Sequence, residues 1–504
     1  MSLPKVFDAD AAVAVIPDGA TVAIHGAGGG ICEPDQLVSA LGRRFEQTGH
    51  PRDLTLVYSL GLGDRTDRGL HVLARTGLIR RVIAGHLGMS PAIGKLIQAN
   101  EIEAYNLPMG VISLLYREIA AGRPGLITSI GTGTFVDPRL EGGRLTERTT
   151  RDLVRLITID EREYLFYPSF PIDVALVRAS TADRHGNLSL ADETSYLDVL
   201  ELAAAVRTSR GVTIAQVRQL TPERRPPKAV HVPGILIDRV VENPGQWQTY
   251  HDRLNAHFAG HTVSSGDGEA APLPLNARTV IARRASREVS PGDVCNVGLG
   301  IPDAVPMALR ERGLHQQVTT TVEHGIVGGI VAPGHVFGAT VGHHAVISMP
   351  SMVDLYHGGL LDLAFLGFGQ VDGAGNVNVG RFAESTVGVG GFVDISQCAA
   401  RVVFCGTFTA GGLTMEYSDG RADIVREGRV KKFVAQVEQV AFNGRRALAD
   451  GQQVLLVTER AVLRLEQDGL RVVEVAPGID VRRDIVQQSG ADLIIERFEK
   501  MTWA

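Results

Sequence analysis

The sequence predicts an α/β protein built from two tandem, related open α/β domains. Three observations carry this reading. Short β-branched runs alternate with amphipathic helical stretches along most of the chain, as in parallel sheets wound with helices. Glycines, 58 in all, cluster where those runs end. Two distant stretches also repeat one spacing of polar residues: Asp173, Asp183 and Asn187 in the first, Asp362, Asp372 and Asn376 in the second. Such a repeat at long interval indicates a duplicated unit. A chain of 504 residues is long enough for about two to four domains of ordinary size.

In chain order, residues 18–24 form a turn and a short buried strand that runs into Gly26-Ala27-Gly28-Gly29-Gly30. Pro34 and Asp35 then open an amphipathic helix to about Phe45, with Leu37, Val38, Leu41 and Phe45 on one side. Strand, glycine loop and helix together suit an anion. The dinucleotide fingerprint is absent, because Ile31 stands where its third glycine belongs. Strands are expected at 54–58 and 81–84, and helices at 91–99 and 111–121. The stretch from Gly88 to Lys95 imitates a phosphate-binding P-loop. Five residues separate its glycines, however, and Leu96 replaces the hydroxyl that would hold Mg²⁺. Pro91 is therefore read as a helix start. A strand at 173–177, a helix at 196–208 and a strand at 211–217 complete the first half.

Residues 258–275 are small, polar and proline-rich, as a linker would be. This places an N-terminal domain at 1–257 and a C-terminal domain at 276–504. The second half restarts the pattern of the first. A helix is expected at 278–287, then a turn and strand at 291–297, then Gly298-Leu299-Gly300-Ile301-Pro302, then a helix at 303–312.

A formal net charge of -6 argues against a general nucleic-acid binder. No apolar run reaches the ~18 residues of a membrane span, and residues 1–10 lack a signal pattern. Cys32, Cys295, Cys398 and Cys405 form no CxxC pair, which suits reduced thiols in a cytoplasmic protein. His335, His343, His344 and His357 match no zinc spacing, and no metal is expected.

The β-branched run Thr319-Thr320-Thr321-Val322 ends abruptly in Glu323, followed by His324 and Gly325. In open α/β sheets, ligands bind beyond the carboxyl ends of the strands. A carboxylate placed there can act as a nucleophile. Gly388-Val389-Gly390-Gly391 and the glycines of 406–412 could supply backbone N–H groups to an oxyanion, or simply make tight turns.

Taken in order, these segments resemble the family I coenzyme A transferases of the single-chain propionate/acetate and acyl-CoA:acetate/3-ketoacid type, over nearly the whole chain. Asp18-Gly19-x-x-Val22-Ala23-Ile24 is similar to the N-terminal signature, with His25-Gly26-Ala27 in place of Gly-Gly-Phe. Thr321-Val322-Glu323-His324-Gly325 resembles the catalytic Glu-Ser-Gly or Glu-Asn-Gly segment, His324 being the departure. Asn296 to Pro302, Gly388 to Phe392, Phe404 to Gly412 and Ala476 to Asp480 resemble further family segments.

The resemblance implies ping-pong transfer of CoA from an acyl-CoA to a free carboxylic acid, through a glutamyl-CoA thioester on Glu323. Acetate, propionate and 3-oxoacids are the expected acids. Gly298, Leu299, Gly300, Ile301, Gly388, Val389, Gly390 and Gly391 are the expected oxyanion or CoA-binding positions. No cofactor is expected beyond the CoA thioester itself as substrate, and the assembly would be a homodimer or homotetramer. Two alternatives stay open: an acyl-CoA hydrolase on the same fold, and a non-catalytic CoA- or phosphosugar-binding protein. His324 would either hydrogen-bond a substrate carboxylate or merely fill its position.

Overall fold

The computed structural model describes residues 5–262, 273–383 and 385–503. Its first sheet is parallel, in the order Lys5–Phe7, Arg239–Glu242, Val212–Thr221, Val174–Asp183, Thr21–Ile24, Leu54–Tyr58, Ile79–Ala84, Glu103–Asn106. Every residue of Val174–Asp183 and of Leu54–Tyr58 is buried. Strands covered on both faces read as continuous apolar runs rather than alternating ones, which is why they are legible without a period-2 pattern. Helices Asp35–Thr48, Pro91–Gln98, Met109–Ala120 and Val199–Thr208 fall where expected, with shifted ends. A three-stranded antiparallel sheet of Gly125–Thr128, Arg162–Pro168 and Arg155–Ile159 lies in a stretch that carried no sequence signal.

The second sheet runs Thr319–Val322, Val294–Val297, Leu363–Gly367, Arg401–Cys405, Gln453–Val457 in parallel, then adds antiparallel Ala461–Glu466 and Gly469–Val475. Helix Ala277–Ala285 starts at a capping box. The Asn276 side chain accepts from the Thr279 N–H, and Thr279 reaches back to the Asn276 N–H.

The duplication is visible bond by bond. Asp173 accepts the N–H of Thr21, and Asp362 accepts that of Val294, each at 2.8 Å and each at the start of the equivalent strand. Asp183 Oδ1 accepts the N–H groups of His185 and Asn187, while its Oδ2 takes the Asn187 amide. Asp372 does the same with Ala374 and Asn376. Asn187 and Asn376 then accept the N–H of Gly234 and Gly444. The repeated residues are thus turn-closing groups, selected for backbone geometry rather than chemistry.

The expected division at 258–275 needs correction. One compact unit comprises Met1–Ser264, Glu323–Asp354 and Glu384–Asp394; the other comprises Ser265–Val322, Leu355–Ala383 and Ile395–Ala504. Glu323, expected in the C-terminal domain, therefore belongs to the unit built mostly from the first half. Phe258, expected to open the linker, is buried in a core with Ala339 and Met349. An aromatic ring with such partners stays in the core. Residues 263–272 of the expected linker lie outside the described residues.

Candidate active site

In the first unit, the loops that follow the parallel strands gather the polar residues. The strand Thr21–Ile24 leads into His25 and the 26–30 loop, whose conformation is set by backbone bonds. The Gly29 N–H donates to the Gly63 carbonyl, the Tyr250 N–H donates to the Gly29 carbonyl, and Ala27 bonds Ile31. The Cys32 thiol donates to the carbonyl of Ser195 at 3.2 Å, and the Ser195 hydroxyl donates to the carbonyl of His324. One chain of contacts thus joins the first glycine loop to the Glu323-His324-Gly325 turn.

That turn is held closely. Gly325 has φ +95, and a Cβ there would lie 2.1 Å from the Ile347 carbonyl oxygen, so only glycine fits. Gly338, at φ +105, lets its backbone lie against the His324 ring; a Cβ would fall 2.0 Å from Nδ1. Burial pushes the His324 pKa down, with Glu323 opposing weakly, so the ring is neutral near pH 7. Its Nδ1 is buried without a hydrogen bond among the described residues. A bare acceptor costs less there than a stranded N–H, which assigns the ring proton to Nε2.

Glu323 is half-buried. Its Oε2 is buried and takes no hydrogen bond among the described residues. Buried carboxylate oxygens are ordinarily supplied with donors. This one is left uncompensated at a strand exit, where a reacting group would be.

The 388–391 loop belongs to the same unit and rests on the ends of two parallel strands. Asn106, the last residue of its strand, donates to the carbonyls of Ala84 and Gly85 and accepts the Val389 N–H at 3.1 Å. The Gly390 N–H donates to the Gly85 carbonyl, and the Met109 N–H donates to the Gly390 carbonyl. The N–H groups of Leu87 and Gly88 both donate to the Val387 carbonyl. The false P-loop at Gly88 is therefore scaffold for this loop. Asp394 Oδ2 accepts the N–H of Gly110 near the start of helix Met109–Ala120, where a carboxylate is favoured. Sequence reasoning missed Asn106, Asp394 and Ser195. Their partners lie 283, 284 and 129 residues away, and no local pattern signals such a pairing.

The structure narrows the expected backbone donors. Val389 and Gly390 already donate their protons within the loop's own scaffold. In the second unit, Gly298 donates to the Phe365 carbonyl and Gly300 to the Asp303 carboxylate at 3.3 Å. Four N–H groups remain without such a bond among the described residues: those of Leu299, Ile301, Gly388 and Gly391.

The first unit thus holds an uncompensated glutamate and two glycine loops at the ends of its strands, on an α/β scaffold. The family model for coenzyme A transferase matches residues 6–243. The chain belongs to the coenzyme A transferase family and is a CoA-transferase. It is 44% identical over 484 residues to the acetate CoA-transferase YdiF of Escherichia coli strain K12, covering 96% of this chain and 91% of that one. It is 43% identical over 497 residues to the caffeate CoA-transferase of Acetobacterium woodii, covering 96% and 94%. The crystal structure of the E. coli O157:H7 acyl-CoA transferase (YdiF), a thioester complex with CoA, superposes with a TM-score of 0.94 at 42% identity, covering 99% of this chain and 95% of that one.

Proposed function

We propose that this CoA-transferase moves CoA from an acyl-CoA to a free short-chain carboxylic acid, in two half-reactions that share a glutamyl-CoA thioester on Glu323. The observation that carries this reading is the buried, undonated Oε2 of Glu323. An oxygen free of hydrogen bonds keeps its lone pairs available for attack. The CoA thioester in the E. coli relative's structure supports the same class of intermediate.

In the first half-reaction, a Glu323 oxygen attacks the thioester carbonyl. The C–S bond breaks, giving a mixed acyl-glutamyl anhydride and CoA thiolate. The thiolate attacks the glutamyl carbonyl, the anhydride C–O bond breaks, and the first acid leaves as its carboxylate. The second acid attacks the glutamyl thioester, and the steps run in reverse. No proton is gained or lost overall, and the thioester bond energy is kept, so no nucleotide is consumed. Each tetrahedral intermediate carries an oxyanion, for which preset N–H donors are worth ~2.7–4 kcal/mol apiece. The amides of Gly388 and Gly391, in the unit that holds Glu323, are the candidates. Water must be kept from the thioester, or the enzyme becomes a hydrolase.

The test is trapping. Acetyl-CoA alone should leave CoA on the Glu323 side chain, and borohydride should convert that carbonyl to an alcohol, changing the mass of the Glu323 peptide. Label on another residue would overturn the assignment. A protein left unlabelled would point to direct transfer.

A further inference from the structure

The three-stranded sheet of the first unit ends in an unguarded edge. Its outer strand, Arg155–Ile159, pairs with Arg162–Pro168 and with no other described strand. Asp160 and Glu161 between them both take left-handed backbone, φ +47 and +63, as the two-residue turn of a tight hairpin requires. That turn fixes which backbone groups are used. Ile159 and Arg162 exchange hydrogen bonds beside it, and by antiparallel alternation so do Ile157 with Tyr164 and Arg155 with Phe166. The N–H and C=O of Leu156 and Thr158 therefore point outward, along the free edge.

Edges of this kind invite pairing, and soluble proteins ordinarily blunt them with lysine, proline or a bulge. Here the strand reads Arg-Leu-Ile-Thr-Ile, and its register against Arg162–Pro168 runs without a shift. One face of the sheet is apolar as well. The pairs Ile127–Phe166 and Ile157–Tyr164 put those side chains on one side, with Ile159. Leu165 and Tyr167 take the other side and are buried. On the first side, Ile127 is 47% and Ile159 43% exposed. The ends of the strand carry opposite charges. Arg155 stands at its start, Asp160 and Glu161 just past its end, and none of the three makes an ion pair among the described residues.

We propose that Arg155–Ile159 pairs antiparallel with the same strand of a second copy of this chain, about a two-fold axis at Ile157. In that register Leu156 exchanges hydrogen bonds with the partner subunit's Thr158, and Thr158 with the partner subunit's Leu156. Every outward backbone group of the strand is then answered by an outward group of the other. The two Ile157 side chains meet at the axis in a non-hydrogen-bonded pair, the closer of the two kinds. Arg155 falls opposite the partner subunit's Ile159, beside the acidic turn that follows it, and symmetry repeats the contact at the other end. This charge complementarity selects a second copy over an unrelated segment: antiparallel pairing brings the basic end of each strand to the acidic end of the other.

Ile157→Lys tests the interface in the full chain. It sets two ammonium groups face to face at the axis, where like charges directly opposite are destabilising. The mass by light scattering should fall by about twofold at concentrations where the unmodified enzyme stays assembled, with the far-ultraviolet circular dichroism unchanged. A folded variant with the mass of the unmodified enzyme would overturn the proposal. So would an unmodified enzyme that is monomeric across dilution, which would leave the edge to some other protein.

A second variant stands even if that one fails to fold. Across a non-hydrogen-bonded antiparallel pair the Cα atoms lie about 4.5 Å apart, within the range of a disulfide. Ile157→Cys, a smaller side chain at a partly exposed position, should therefore give under mild oxidation a covalent dimer of twice 53.9 kDa. Mass spectrometry of its peptides should find the two introduced cysteines joined to each other. No covalent dimer, or one joined through any of the natural cysteines instead, would refute the register and the interface with it.

Discussion

Glu323 is unfavourable for stability and useful for chemistry in the same atom. Its buried Oε2 has no donor among the described residues, and a buried acceptor without a partner costs about 1–3 kcal/mol. Glu323→Gln keeps the shape and removes the nucleophile. Transfer should fall by more than about 10³-fold, while the melting temperature stays equal or rises, because the charge is removed where nothing compensates it. A marked drop in melting temperature would show that Glu323 has a packing role instead. His324 is tested through its neighbour. Gly338→Ala places a Cβ 2.0 Å from the ring nitrogen at φ +105. This should cost about 1–3 kcal/mol and lower kcat, read by denaturant unfolding and initial rates; an unperturbed variant would mean the ring is free to move aside.

At the scale of elements, the 388–391 loop depends on one asparagine. Asn106→Ala leaves the carbonyls of Ala84 and Gly85 and the N–H of Val389 without the bonds they now make. The expected loss is about 2–4 kcal/mol, with a several-fold rise in KM for acyl-CoA if this loop contacts CoA as the family resemblance implies. A stability loss with unchanged KM would confine Asn106 to a structural role and separate the loop from CoA. The glycines of this loop stand out in the sequence. The residue that orders them does not, because an asparagine ending a strand looks like any strand terminus until its distant partner is known.

At the scale of the whole molecule, buried titratable groups set the pH range of stability. Burial lowers His25 to about 3 and His86 to about 4, against 6.5 unfolded. Below pH 6.5 the unfolded chain therefore binds protons that the folded chain refuses, and the histidines' contribution to stability falls as pH drops toward 4. Each group contributes a slope of about 1.4 kcal/mol per pH unit. Glu33 and Asp198 act oppositely: burial raises them to about 8 and about 7, from 4.5 and 3.8. Their stabilisation is full below those unfolded values and is lost as pH rises to the folded ones. Between about pH 4.5 and 6.5 the two pairs offset each other, so melting temperature should be level there and fall above pH 6.5, and Glu33→Gln should flatten the alkaline side between pH 6.5 and 8. A variant that keeps the wild-type slope there would exclude Glu33. Light scattering should give a mass of two or four times 53.9 kDa; a monomer across dilution would refute the expected assembly.

Composition, strand-end glycines and the repeated Asp and Asn spacing were enough to determine an α/β chain with a duplicated unit, because hydrophobic periodicity and turn chemistry are local properties. The short motif around Glu323 was legible for the same reason. Only the tertiary structure decided that Glu323–Asp354 and Glu384–Asp394 join the first half's unit, that Ser195 and Asn106 hold the site loops, and that several expected amide donors are already bonded. Those are contacts across more than a hundred residues. They follow from where packed strands end, and no local spacing encodes which strand ends will meet.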